Sequence, residues 1–360
     1  MKILHIIDNL SLGGAQTLVR GIFDCQQENK DIFLFSLREK NIKIEINHSN
    51  VFNFCSTKKY SFLPLKKIKE IIRKEKIDVL HCHLFRSYIF AYLLKIFYFP
   101  KIKIIIHEHG QIFEKNIFYK IFLLITNKKI DLFIACSHAT RKLLIKFLPK
   151  LNKKIEVLHN FVDLDYFNID NKIDTSLDRE KLGLDKDDFV FGFAARIIKR
   201  KGWKNLLMAF QGVVKYKPNC KLLIAGDGKD KGRLLKFIEK NNLGNNVYFL
   251  GYISDMCWFY SLIDCFIIPS HFEPMGITEM EAQSMGVPVI ASNVDGLNEI
   301  VSNNENGLLF EVGNVSDLLE KIRFVCEDEV LRNKLIKNGL ESVSLYSLSG
   351  YLEKLKKIYG

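Results

Sequence analysis

The chain has 360 residues, 48% hydrophobic and 26% charged, enough for two domains of ordinary size, each with its own core. Its formal charge of +12 is uneven: residues 1–170 carry 28 Lys and Arg against 16 Asp and Glu, and the remainder carries 25 against 25. The basic excess of the first half points to an anionic membrane surface or anionic acceptor rather than nucleic acid, and eight cysteines without a CxxC pair exclude a dense disulfide scaffold and fit a reduced, cytoplasmic protein.

In chain order, MKILHIIDNLSLGG breaks its apolar run at Asp8 and reads as a first strand rather than a secretion signal. Short apolar strands follow in DIFLFSL, DVLHCH, KIKIIIH, DLFIACS and KIEVLH, alternating with helical stretches. That is the pattern of a parallel sheet covered on both faces. The most apolar segments, YIFAYLLKIFYF and IFLLI, fall short of the ~20 residues a bilayer-spanning helix needs. The stretch from Asp163 to Asp188 is polar and lacks a sustained apolar period, so it reads as a linker. The strand pattern then restarts in FVFGFAA, CKLLIAG, NVYFLG, DCFIIP and VPVIAS, and LSGYLEKLKKIYG reads as a terminal helix. Two such doubly wound domains facing each other leave a cleft, where ligands bind beyond the carboxyl ends of the strands.

Several motifs fall at those ends. Gly13 and Gly14 follow the first strand and open a helix, where backbone approaches a ligand closely and anions are favoured. GxGxxG is not matched, which weighs against a dehydrogenase. In GFAARIIKRKG, four cations, Arg196, Lys199, Arg200 and Lys201, crowd the start of a helix against its dipole. An anion resolves the conflict, and a diphosphate suits an arginine fork and lysine point charges. Gly226 and Gly251 sit at two further strand-end turns.

HCH at 81–83 and HEH at 107–109 put alternate histidines on one face of two strands, open either to a metal or to hydrogen bonding in the core. No carboxylate or cysteine pattern completes a recognised metal set. Asp163 and Asp165 stand in DxD spacing but suit a turn, and Ser137 suits an N-cap.

SHFEPMGITEMEAQSMGVPVIA places carboxylates between two strand-like runs, with a helix expected from Ile277 to Met285. Glu281 shares a stripe with Ile277, Met280, Ser284 and Met285, so it is expected to be buried and in need of hydrogen-bond donors. Glu279 pairs with Gln283 on another face and is expected to be solvated.

GFAARIIKRKG, LLIAGDG, VYFLGYISD, PSHFEPMGITEMEAQSMGVPVIAS and NENGLLF, in that order, resemble the retaining glycosyltransferases of family 4, which have the GT-B fold. GGAQ, DVLHCH, HEHG and HNFVDLDYF extend the resemblance through the first half. It implies an N-terminal Rossmann-like, acceptor-binding domain over 1–165, a linker over 166–188, a C-terminal donor-binding domain over 189–345, and a terminal helix over 346–360 packing back on the first domain. Glu273 and Glu281, with seven residues between them, match the family's paired glutamates. Glu281 then accepts hydrogen bonds from the ribose diol of a nucleotide sugar, and Glu273 lies by the donor sugar with the amides around Met275, Gly276 and Ile277. Arg196 and Lys201 hold the diphosphate and stabilise its departure. His109 matches the first-domain histidine against the transferred sugar, with His107 the alternative two residues away, and Gly13 and Gly14 face the reacting centre.

The resemblance implies same-face substitution with retention, no essential metal and no other cofactor, a UDP-linked donor ahead of a GDP-linked one, and a glycan or lipid-linked acceptor at the inner face of the membrane. Phe161 and Asp295 depart from positions where glycine is frequent. A GT-B epimerase or phosphorylase is the alternative enzyme, though no cofactor lysine is evident. A non-catalytic binder of nucleotide sugar or an anionic surface is the other alternative, against which intact Arg196, Lys201, Glu273 and Glu281 argue.

Overall fold

The structure is a computed structural model of the chain and describes every residue except 12, 39–43, 55–60 and 111–116. It forms two compact units, one of Met1–Asn160 with Tyr351–Gly360 and the other of Phe161–Gly350.

In the first unit the described elements run β1 (Ile3–Ile7), α1 (Gly14–Asp24), β2 (Ile32–Ser36), β3 (Val51–Asn53), α2 (Leu63–Glu75), β4 (Val79–His83), α3 (Phe85–Phe97), β5 (Lys103–Glu108), α4 (Ile117–Thr126), β6 (Leu132–Ala135), α5 (His138–Phe147) and β7 (Ile155–Val157). The strands make a parallel sheet in the order β3-β2-β1-β4-β5-β6-β7. β1, β2 and β4 are buried at every position, as expected where helices cover both faces. α2 buries Ile68, Ile71 and Ile72 at helical spacing. They join a core that includes Phe35, Leu80, Ile106, Phe133 and Leu144, where each large side chain withdrawn from water contributes about 1.5–3 kcal/mol. Ser137 caps α5 by accepting from the Thr140 amide.

The second unit contains α6 (Ser176–Lys181), β8 (Phe189–Ala194), α7 (Trp203–Tyr216), β9 (Cys220–Ala225), α8 (Lys231–Lys240), β10 (Val247–Gly251), α9 (Met256–Ser261), β11 (Cys265–Ile268), α10 (Thr278–Ser284), β12 (Val289–Ser292), β13 (Leu308–Phe310), α11 (Val315–Glu327) and α12 (Glu329–Val343). Its parallel sheet has the order β10-β9-β8-β11-β12-β13. One core packs α7, α8 and α11 on one face around Phe191, Phe210 and Ile322, and another places Phe259, Tyr260, Ala282 and Met285 on the opposite face. In both sheets the sequential order reverses beside the first strand, the position at which such folds leave a crevice at the carboxyl edge.

Residues 166–188, expected as a linker, belong to the second unit and carry a single 3-10 turn, the helix α6 and the buried Leu184. Asp163 accepts from the amides of Asp165 and Tyr166 at 3.1 and 3.2 Å, so the DxD spacing serves a turn. The terminal helix α13 (Leu348–Tyr359) begins at the end of the second unit and its remainder, from Tyr351, belongs to the first.

Candidate active site

The carboxyl edge of the second sheet gathers the loops that follow β8, β9, β11 and β12. After β8 the chain passes Ala195 and the exposed Arg196, makes a 3-10 turn over Lys199–Lys201, and enters α7 through Gly202. Gly202 has φ +73°, and a Cβ there would lie 1.7 Å from the Pro269 carbonyl oxygen, so the turn can press against the end of β11 only as glycine. Gly226, with φ +136°, is held in the same way against the Ala195 carbonyl and donates its amide to Gly251 at 2.6 Å. The three strand-end turns anticipated at Arg196, Gly226 and Gly251 are thus one packed group.

The cations at this edge are partly answered by the protein itself. Lys201 donates to Glu273 in a short ion pair, and the Ser270 hydroxyl reaches the same carboxylate at 3.4 Å. The Lys199 amide donates to Asp230 at 2.7 Å, and the Arg200 guanidinium lies 5.7 Å from the centre of the Phe272 ring. Gly296, with φ +99°, brings the loop after β12 against the carbonyls of Glu273 and Pro274.

α10 carries the other two carboxylates. Glu281 is buried, and Tyr260 donates to its Oε2 at 2.8 Å, a donor from α9 that the sequence did not single out. Burial pushes the Glu281 carboxyl up to about 7, opposed by the Tyr260 hydrogen bond. Glu279 is not solvated, contrary to the helical-face expectation. It is 0% exposed, and among the described residues neither carboxylate oxygen has a hydrogen-bond partner in another residue. Burial first, and then the charge of Glu273, pushes it up to about 8, so at neutral pH it is mostly a neutral acid. Its carboxyl occupies the space beside Gly276, where a Cβ would lie 1.9 Å from Oε2. α10 is only two turns long and is covered on both sides, so no face of it reaches water; every residue from Glu279 to Ser284 is buried. Met275 and Gly276 are buried and Ile277 is half-buried at the head of this helix.

In the first unit, Gly13 and Gly14 stand at the start of α1, with Gly13 half-buried and Gly14 exposed. His109 follows β5 and is half-buried, whereas His107 is fully buried within the strand. The histidines of the two HxH motifs share one sheet face with His5, which lies in register with His81, as His83 does with His107. Their nitrogens meet pairwise: His5 Nδ1 and His83 Nε2 at 3.0 Å, His83 Nδ1 and His109 Nε2 at 2.9 Å, His81 Nε2 and His107 Nδ1 at 3.2 Å. The Tyr359 hydroxyl from α13 lies 2.6 Å from His81 Nδ1 and 3.2 Å from His5 Nε2. Two trios, His5, His81 and His83, and His83, His107 and His109, each bring ligand atoms within 4.8 Å of one another. Burial pushes His5 and His109 down to about 3 and holds His81, His83 and His107 well below the usual imidazole range, so all five are neutral at pH 7.

Comparison with known proteins bears on both units. Residues 13–166 match the family described as Glycosyltransferase Family 4, and residues 174–342 match Glycosyl transferases group 1. The capsular polysaccharide biosynthesis glycosyltransferase CapM of Staphylococcus aureus is 32% identical over 256 residues, 67% of this chain and 66% of that protein. The UDP-Gal:alpha-D-GlcNAc-diphosphoundecaprenol alpha-1,3-galactosyltransferase of Escherichia coli is 28% identical over 313 residues, 82% of this chain and 78% of its own length. Among solved structures, Anabaena Alr3699/HepE in complex with UDP and glucose superposes with a TM-score of 0.87 at 20% identity, covering 100% of this chain and 99% of that one. A glycosyltransferase from Rickettsia africae gives 0.85 at 23% identity, covering 99% and 97%. The two matched families adjoin in order along nearly the whole chain and each falls on one of the two parallel-sheet units. The protein is therefore a glycosyltransferase of the GT-B fold and belongs to glycosyltransferase family 4.

Proposed function

We propose that this glycosyltransferase moves a hexosyl or N-acetylhexosaminyl group, with retention, from a UDP-sugar to a growing glycan, a lipid-linked oligosaccharide, lipopolysaccharide or other cell-surface polysaccharide intermediate. The observation that carries the reading is the carboxyl edge of the second sheet, where Lys201 and Glu273 meet and the buried Glu281 accepts from the Tyr260 hydroxyl. A ribose diol offers Glu281 further donors, which is how a carboxylate buried in this way is stabilised as an anion. Arg196 and Lys201 take the diphosphate, and the charge that grows on it as the glycosidic bond breaks is what they stabilise most. Phosphate binding at this edge draws Lys201 from Glu273 toward the diphosphate and leaves Glu273 beside the sugar, with the Met275, Gly276 and Ile277 backbone and the turns at Gly226 and Gly251 completing the donor site. In the first unit, His109 contacts the transferred sugar, and Gly13 and Gly14 allow close approach at the start of α1.

The UDP preference draws support from the UDP complexes of the Anabaena neighbour and the UDP-galactose donor named for the E. coli relative. The acceptor class draws support from relatives named for capsular, O-antigen and diphosphoundecaprenol-linked glycans. On this reading the cations and helix termini take the place of an essential metal, and the protein works at an anionic membrane surface facing the cytoplasm. A thermal-shift panel of UDP-, GDP- and ADP-sugars, followed by analysis of the transferred product and its anomeric configuration, tests the proposal. Stabilisation by a UDP-sugar and an α-linked product from an α-donor are expected; inversion of configuration, or stabilisation by GDP-sugars alone, overturns it.

A further inference from the structure

Four buried histidines of the first unit, the half-buried His109 and Tyr359 form one continuous chain of hydrogen bonds: His107, His81, Tyr359, His5, His83, His109. Among the described residues every ring nitrogen is used once, save the two at the ends, Nε2 of His107 and Nδ1 of His109. A neutral imidazole carries one N–H and one lone pair, so such a chain donates head to tail in a single sense. The neutrality of all five rings follows from their burial.

Only two senses exist. If Tyr359 donates to His81, all five histidines carry the proton on Nε2; if Tyr359 donates to His5, all five carry it on Nδ1. The His107 end does not choose between them: among the described residues its Nε2 is buried without a partner, an orphaned N–H in the first sense and an orphaned lone pair in the second, each carrying a comparable desolvation penalty. The junction does choose. A hydroxyl donor makes the shorter bond and a ring N–H the longer one, and Tyr359 lies 2.6 Å from His81 Nδ1 and 3.2 Å from His5 Nε2. The Nε2–H form is also the intrinsically preferred tautomer of an alkyl imidazole, so sense and preference agree.

We propose that Tyr359, from the terminal helix, locks His5, His81, His83, His107 and His109 as one set in the Nε2–H form, so that His109 presents a bare Nδ1 that accepts a hydrogen bond from a substrate hydroxyl. The opposite sense would present an N–H there and would select an acceptor atom instead. Tyr359, His5 and His83 are thus positioning residues acting through His109. The part concerning substrate rests on the reading of His109 as a sugar contact; the tautomer set does not.

The test is long-range proton–nitrogen NMR on the histidine-labelled, ligand-free protein at pH 7, with assignments from single His→Asn variants. Expected are five rings with the Nε2–H signature in the wild type. In Tyr359→Phe, the signals of all five rings should move toward a mixture of tautomers, and kcat should fall several-fold with KM for the donor little changed. A mixture of tautomers or a uniform Nδ1–H set in the wild type overturns the proposal even if the variant does not fold. Unchanged His109 nitrogen shifts in a folded Tyr359→Phe protein also overturn it. Because the spectrum is read without substrate, a failed tautomer prediction is distinct from a failed glycosyl-transfer assay.

Discussion

Glu279 and Glu281 stand two residues apart on α10, and both carboxyls are buried, yet their surroundings differ. Glu281 has Tyr260 as a donor, whereas Glu279 has no partner in another of the described residues and lies against Gly276. The consequence is a pH-dependent stability term. Because the folded protein holds the Glu279 proton up to about 8, against 4.5 for the ordinary group, its full contribution is present below pH 4.5 and is lost as pH rises toward 8. Each unit in that window costs about 1.4 kcal/mol. Glu279→Gln keeps the shape of the neutral acid and removes the titration. Its stability relative to wild type, from urea unfolding, should therefore rise by about 3 kcal/mol between pH 4 and pH 7; a constant difference would show that Glu279 is ionised in the folded state. The burial of Glu281 was legible in the sequence because it shares a stripe with apolar residues. The burial of Glu279 was not, because helical periodicity assigns a solvent face to a long helix and α10 has none. Tyr260 was equally silent, since it comes from another helix and its approach to Glu281 is purely tertiary.

At the scale of elements, long apolar strands and the amphipathic helix α2 could be read directly from periodicity. β3 and β13 are three residues each and lie in VFN and LLF, which the strand pattern did not mark. α2 buries Ile68, Ile71 and Ile72, and Lys66, Lys67, Arg73, Lys74 and Lys76 are exposed, although Lys67 also approaches Glu70 and Lys74 approaches Glu75. Lys69 instead lies over the Tyr98 ring at 3.7 Å. α4 adds something the charge pattern did not suggest: Ile117, Phe118, Leu124 and Ile125 are 60, 75, 54 and 68% exposed, alongside Lys120 and close to Lys128 and Lys129. Lys115, just ahead of α4 in the basic, aromatic run QIFEKNIFYKIFLLITNKKI, lies outside the described residues. An exposed apolar strip on a basic unit suits insertion among anionic headgroups, each nearby basic residue contributing about 1 kcal/mol. Among the described residues no helix is long and apolar enough to cross a membrane. The protein should therefore sediment with anionic vesicles at low salt and be released as the Debye length falls from ~10 Å at 0.1 M to ~3 Å at 1 M. Phe118→Ser with Ile125→Ser should reduce binding at least tenfold; equal binding to neutral and anionic vesicles would dismiss the membrane role.

For the molecule as a whole, two parallel sheets were legible because each is a series of buried strands punctuated by turn residues, and each unit has its own core. The return of the chain to the first unit at Tyr351 is a tertiary event, and with it came Tyr359 into a cluster of histidines that sequence spacing left open between metal binding and core hydrogen bonding. The proposed donor site has its cationic groups and turns on one unit and one sheet edge. Transfer activity should accordingly persist in excess EDTA; complete loss, restored by a single added metal, would return the histidine trios to consideration as ligands. The edge bearing Arg196, Lys201 and Glu281 is proposed to hold the UDP portion of the donor. Calorimetric titration of UDP in EDTA into the wild type, Glu281→Ala and Arg196→Ala tests this. Saturable binding by the wild type is expected, with at least a tenfold weaker affinity in each variant, about 1.4 kcal/mol. No UDP binding by the wild type, or wild-type affinity in both variants, would contradict it.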